Sequence, residues 1–187
     1  MVRSAIEKKK KPKGPTRTHE TVGKNIYFYS TRSPFSNFHP VPGGLEHEGV
    51  VLPTSEHHMM LAKALQNGNT EIAEKIRKAR TPAEAKQLGR DIQPFNKERW
   101  RETNLGIVTR ILVSKFRHPD LRDHLLSTDG CMLYEASPKD PIWGIGISVR
   151  HAASGMEHKG ENRLGKALMR ARTVLNEERL GVVPWDR

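Results

Sequence analysis

The chain has 187 residues, 35% of them hydrophobic and 28% charged, which is enough for one domain with a sizeable core. Its net charge of +11 favours a polyanionic partner such as nucleic acid, and no apolar run approaches the ~18 residues of a membrane span. A single cysteine, Cys131, excludes an intramolecular disulfide and fits a reducing compartment, and no group of Cys and His has zinc spacing.

Residues 1–24 carry eight Lys or Arg and two acids, with Pro and Gly but no hydrophobic period, so they read as a basic disordered tail. No apolar segment follows the basic start, which predicts no secretory signal. The expected location is cytoplasmic, or nuclear in a eukaryotic source, where Lys8-Lys9-Lys10-Lys11-Pro12-Lys13 would suit an import signal. A domain over 25–179 and a short C-terminal tail over 180–187 complete the expected organisation.

Ile26 to Ser30 reads as the first strand. The loop to Pro40 contains Ser36 and Asn37, with Phe35 and Phe38 as anchors. Pro42-Gly43-Gly44 marks a turn, and Leu45 to Leu52 a short hairpin. Thr54 is placed to cap a helix over 55–67. On that helix Glu56 and Lys63 are two turns apart and share a face with Met60. Either the carboxylate and amine have shifted pKa values on this partly apolar face, or Glu56 is favoured by the helix N-terminus and Lys63 is exposed. A second helix covers 70–79. Thr81-Pro82-Ala83-Glu84 opens a third, which Gly89 ends. Arg90 follows, as a surface arginine or a phosphate ligand. Asn96 is placed to cap a long helix over 97–117, with Trp100 as core or pocket wall, and Pro119 starts a short helix to Ser127.

Residues 131–146 change character along their length. Cys131 to Tyr134 is a short apolar run of strand type. Glu135, Ser137 and Asp140 then gather polar groups, Pro138 and Pro141 stiffen the connection, Trp143 adds a flat face, and Gly144 and Gly146 let another group approach the backbone. This is either the floor of an active site or a turn with a core tryptophan. Ile145 to Val149 reads as a further strand, 150–161 as a polar loop, and Asn162 as the cap of a last helix over 163–179, with Leu164, Ala167, Leu168, Ala171 and Leu175 inward. The order of elements is that of a single α+β domain, mostly helical with a small sheet.

Five ordered blocks resemble the NADAR/YbiA-like family: Phe28-Tyr29-Ser30 with Pro34-Phe35-Ser36-Asn37-Phe38; Thr54-x-Glu56-His57 with Lys63-Ala64; Gly89-Arg90 with Trp100 and Lys115-Phe116; Glu135-Ala136-Ser137-Pro138-x-Asp140-x-x-Trp143-Gly144-x-Gly146; and Gly160-x-Asn162-x-Leu164-Gly165 with Leu168-Met169. The resemblance implies an N-glycosidase that cleaves a ribose C1′–nitrogen bond and needs no cofactor or metal. The implied substrate is ADP-ribose on guanine, in nucleotide or nucleic acid, or alternatively ribosylated intermediates of riboflavin biosynthesis. By resemblance, Glu56 is the general acid/base, Lys63 a covalent amine or positioning cation, and Asp140 a ribose-binding or charge-stabilising group. Trp143 and Phe35 would stack on the ligand. Asn37, Arg90 and Asn162 would contact it, in a pocket built with Ser36, Trp100, Ser137 and Gly144. The basic tail tips the reading toward guanine in nucleic acid. Met59 and Met60 replace the family's aromatic and glutamine, and His158 replaces a tryptophan. These departures leave a third reading open, a non-catalytic module binding ADP-ribose or nucleic acid.

Overall fold

The computed structural model describes residues 18–182. In chain order its first elements are β1 (His19–Val22), β2 (Asn25–Phe28), β3 (Pro40–His47), β4 (Val50–Thr54), α1 (Ser55–Gln66), α2 (Thr70–Lys78) and α3 (Pro82–Arg90). They are followed by α4 (Lys97–Arg117), α5 (Pro119–Leu126), β5 (Met132–Glu135), α6 (Val149–Ala153) and α7 (Arg163–Arg179). The architecture is α+β, with helices predominating over a three-stranded sheet ordered β1-β2-β5 and a β3-β4 hairpin.

The sheet joins distant parts of the chain. β1 runs antiparallel to β2, whereas β2 and β5 are parallel, with Phe28 opposite Glu135. Side chains alternate across a strand. Ile26, Phe28 and Leu133 therefore enter the main core, while Tyr27 and Tyr134 stack at 5.2 Å in a smaller cluster with Ile145 and Ile147. Against the main core pack α1, α4 and α7. On α4, Val108, Ile111, Leu112 and Phe116 recur at helical spacing and are buried, and on α7 all five expected inward residues are buried.

Helix boundaries follow the capping chemistry. Thr54, Thr81 and Asn96 each accept a backbone N–H from the first turn of α1, α3 and α4. Three local readings differ from expectation. The basic tail expected through residue 24 contains β1; its four residues are all exposed and carry no hydrophobic alternation, so only pairing with β2 reveals it. Residues 1–17 and 183–187 lie outside the described residues. Pro42-Gly43-Gly44 is not a turn but an irregularity within β3, where Gly43 and Gly44 adopt positive φ (73° and 94°); the reversal falls at Glu48-Gly49. Ile145 to Val149 is not a strand. Gly146 at φ 70° breaks the extended run, and Val149 already begins α6.

Candidate active site

Glu56 sits in the first turn of α1 with 2% of its surface exposed. Its N–H donates to the carbonyl of Asn37 at 3.0 Å, which fixes the helix start against the loop before β3. Its Oε1 is sealed from solvent and has no hydrogen-bond partner. Burial raises the Glu56 carboxyl from 4.5 to about 7; the nearby cation Lys86 opposes this, Asp140 adds to it, and Arg90 and Lys63 pull it down.

A second carboxyl faces the same charges. Glu135 ends β5, and alternation puts it on the Leu133 side of the sheet. Its Oε2 is likewise buried without a partner. Burial raises it to about 7, Asp140 and Glu56 reinforce the rise, and Lys86 works against it. Two close acids with desolvated oxygens do not both ionise readily, so the pair retains a proton near neutrality. Asp140 stands beside both, its Oδ1 accepting the N–H groups of Ile142 (3.1 Å) and Trp143 (2.9 Å) to hold the loop in a tight turn.

Lys63 occupies the last turn of α1. Its Nζ donates to the Gly89 carbonyl at 2.5 Å and lies 4.3 Å from the centre of the Phe95 ring. Burial lowers its pKa; Arg90 lowers it further, and Glu56 raises it. Arg90 is exposed at the end of α3. Lys86, one turn earlier on the same face, lies 5.6 Å from the centre of the Phe38 ring.

The remaining expected contacts divide into two groups. Asn37 is buried beside Glu56 with its Oδ1 unpartnered, and its amide reaches the sulfur of Met59. Trp143 is half-buried in the Asp140 loop and Ser137 is buried in the same loop. Gly144 leaves no room for a side chain, since an added Cβ would lie 2.8 Å from the Glu135 carbonyl and 2.9 Å from that of Asp140. The other group is committed to packing or scaffolding. Phe35 is a core residue set edge-on to Phe28 at 5.5 Å, and Trp100 is buried in the same core. Ser36 caps its own turn through Oγ.

Asn162 is not the side-chain cap expected for α7. It adopts a left-handed φ of 54°, and its amide bridges to β5, accepting the Glu135 N–H at 3.1 Å and donating to the Leu133 carbonyl at 2.8 Å. It thus places Glu135. Asn162→Ala is expected to destabilise the fold by about 3 kcal/mol, by stranding two buried backbone groups and forcing alanine into a left-handed conformation. Urea unfolding would measure this.

Sequence reasoning placed Glu135 in the possible site floor without giving it a role, and left out Lys86. Period-2 alternation from Leu133 and the four-residue step from Lys86 to Arg90 were the available signals. The three departures from the family pattern are accommodated by packing. Met59 takes up Asn37, Met60 fills the space left by Gly89, and His158 packs on Tyr134 (4.7 Å) and Tyr27 (5.9 Å), across the sheet from Glu135. A cleft of about 470 Å³ is bordered by Thr31, Arg32, Phe38, Thr81 and Pro82; Lys86 lies over its Phe38 ring, but neither acid lines it. A second, of about 360 Å³ around His47, His58 and Arg110, is lined by none of these acids. No helix among the described residues is long and apolar enough to cross a membrane.

Fold and site together define an α+β domain whose buried acidic pair is of the kind that proton-transfer catalysis uses. Residues 27–176 match the NADAR domain, and the chain belongs to that family. It is 39% identical over 122 residues to an N-glycosidase of Acanthamoeba polyphaga mimivirus, covering 64% of this chain and 72% of the viral one. Identity to N-glycosidase YbiA of Escherichia coli (strain K12) is 34% over 158 residues, 82% of this chain and 90% of that one. A 35% match over 173 residues to the chloroplastic riboflavin biosynthesis protein PYRR of Zea mays covers 85% of this chain and 26% of the maize protein. The NMR structure of E. coli YbiA superposes with a TM-score of 0.69 at 32% identity, over 92% of this chain and 96% of that one.

Proposed function

We propose that the chain is an N-glycosidase that hydrolyses the bond between ribose C1′ and a nitrogen of a base-like group, acting on ADP-ribosylated guanine in nucleotides or nucleic acid. The observation that carries this is the pair Glu56 and Glu135, two desolvated carboxyls near 7, each with an oxygen left free by the protein. Glycoside cleavage needs a proton on the departing nitrogen and negative charge beside an oxocarbenium-like sugar. Glu56 supplies the proton and Glu135 with Asp140 the stabilising charge. Lys86 and Arg90 present cations to the same space, suited to the diphosphate of ADP-ribose. The N-glycosidase names of relatives in a virus and a bacterium support the reaction class.

Lys63 has a lowered pKa, so its amine is available to attack C1′ as the nitrogen leaves with its proton, giving a glycosylamine; the C1′–O4′ bond then breaks as the amine's proton passes to O4′, and water hydrolyses the resulting open-chain imine. The maize relative's name favours a second substrate, a ribosylated intermediate of riboflavin synthesis.

Guanine-ADP-ribosylated DNA and a ribosylated pyrimidine, offered separately with borohydride present and absent, distinguish these readings. Sugar release from DNA, together with a reduced sugar adduct mapped to Lys63, is the expected result. Release from the pyrimidine alone would reassign the substrate. Release without any adduct would limit Lys63 to positioning, and no release from either would remove the proposal.

A further inference from the structure

Lys115 is the one charged side chain on α4 that points fully inward, with 0% of its surface exposed. It makes no ion pair among the described residues. Its single hydrogen bond runs from Nζ to the carbonyl of Ser36, at 2.7 Å and 79 residues away in sequence. An amine buried without a counter-ion is costly, and burial lowers its pKa to about 7. A methionine of similar length would fill the same space among Phe116 and its neighbours at lower cost.

The Ser36 carbonyl is the hinge of a tightly turned loop. The loop is built from successive bonds Ser33 N–H to Ser30, Ser36 N–H to Ser33 and His39 N–H to Ser36. The next residue, Asn37, gives its carbonyl to the Glu56 N–H and leaves its own Oδ1 free. A chain of contacts therefore runs from Lys115 through Ser36 and Asn37 to the first turn of α1. Because Ser36 also accepts from His39, removing the lysine would not orphan that carbonyl. The bond from Lys115 thus serves the placement of the loop more than the saturation of an acceptor.

We infer that Lys115 is a positioning residue for Glu56, tethering the Ser36-Asn37 loop so that the Glu56 carboxyl meets Glu135 and the ligand in register. The inference rests on the proposed glycosidase reading for its kinetic arm but not for its structural one. Lys115→Met in the full chain is expected to raise the thermal midpoint while lowering kcat about tenfold or more, with KM changed far less, because small misplacements of a catalytic group are costly to rate. The ¹³C-carboxyl NMR titration of Glu56, assigned by its loss in Glu56→Gln, is expected to move away from its wild-type midpoint. Unchanged kcat, a lowered midpoint or failure to fold, or a loss of kcat without displacement of the Glu56 titration would each overturn the inference. If the wild-type chain releases no sugar from any substrate offered, the glycosidase reading fails alone, and the NMR and thermal results decide the role of Lys115.

Discussion

Glu56→Gln is expected to lower the rate of sugar release by about 10²–10⁴-fold, the usual contribution of a general acid or base, while making the protein more stable above neutral pH. Both effects have one origin. The carboxyl is 2% exposed, its Oε1 has no partner, and burial holds it near 7 against an ordinary value of 4.5. Between those two values the folded protein binds a proton that the unfolded chain has released. The stability contributed by the neutral acid is therefore complete below the unfolded value and is lost as pH rises through 7, by about 3 kcal/mol in total. Glutamine cannot ionise and does not incur that loss, although Glu135 retains its own. Thermal melts at pH 5 and pH 8 should show the variant losing less stability than wild type across the interval. A folded Glu56→Gln protein with full turnover would refute the central assignment.

Gly165→Ala is expected to be the most disruptive single methyl group in the described chain. Gly165 begins the second half of the first turn of α7, where its bare Cα lies against the backbone carbonyl of Leu133 and the amide of Asn162. An added Cβ collides with both; the first is backbone, and the second is a side-chain amide held in place by its two bonds to β5. Relief requires β5 and α7 to separate, which breaks the two bonds from Asn162 to β5 and moves Glu135. A loss of about 3 kcal/mol or more is expected from such overpacking, together with loss of turnover out of proportion to the unfolded fraction. Chemical denaturation and an activity assay at low temperature, where the variant remains folded, measure the two parts. Gly106→Ala is the control, since little crowds its Cα and it is helical.

The helices were legible because their signals are local. A threonine or asparagine at each start and a 3.6-residue apolar period placed α1, α3, α4 and α7 within a few residues of their observed ends. The strands were less so. β1 is wholly exposed and exists through its partner, and the Ile145-Gly146-Ile147 pattern imitates a strand although a left-handed glycine bends it. At the site, the shared face of Glu56 and Lys63 followed from helical spacing. The arrival of Glu135 and Lys86 beside them depends on the parallel pairing of β2 with β5 and on the packing of α3 against α1, neither of which a local window contains. Asn162 was legible as a special residue but not in its role. A left-handed asparagine bonded to a strand 27 residues earlier has the same letters as a helix cap.

The parallel pairing of β2 with β5 closes the chain on itself around five helices. A cut at Gly130, on the link between α5 and β5, would leave Glu56, Lys63, Lys86 and Arg90 on one fragment and Glu135, Asp140, Trp143 and Asn162 on the other. Neither fragment holds an acidic pair, and each glutamate alone would meet water and behave as an ordinary surface acid. On the proposed reading the chemistry belongs to the seam between them, and turnover by a nicked protein would report directly on whether its two parts remain joined.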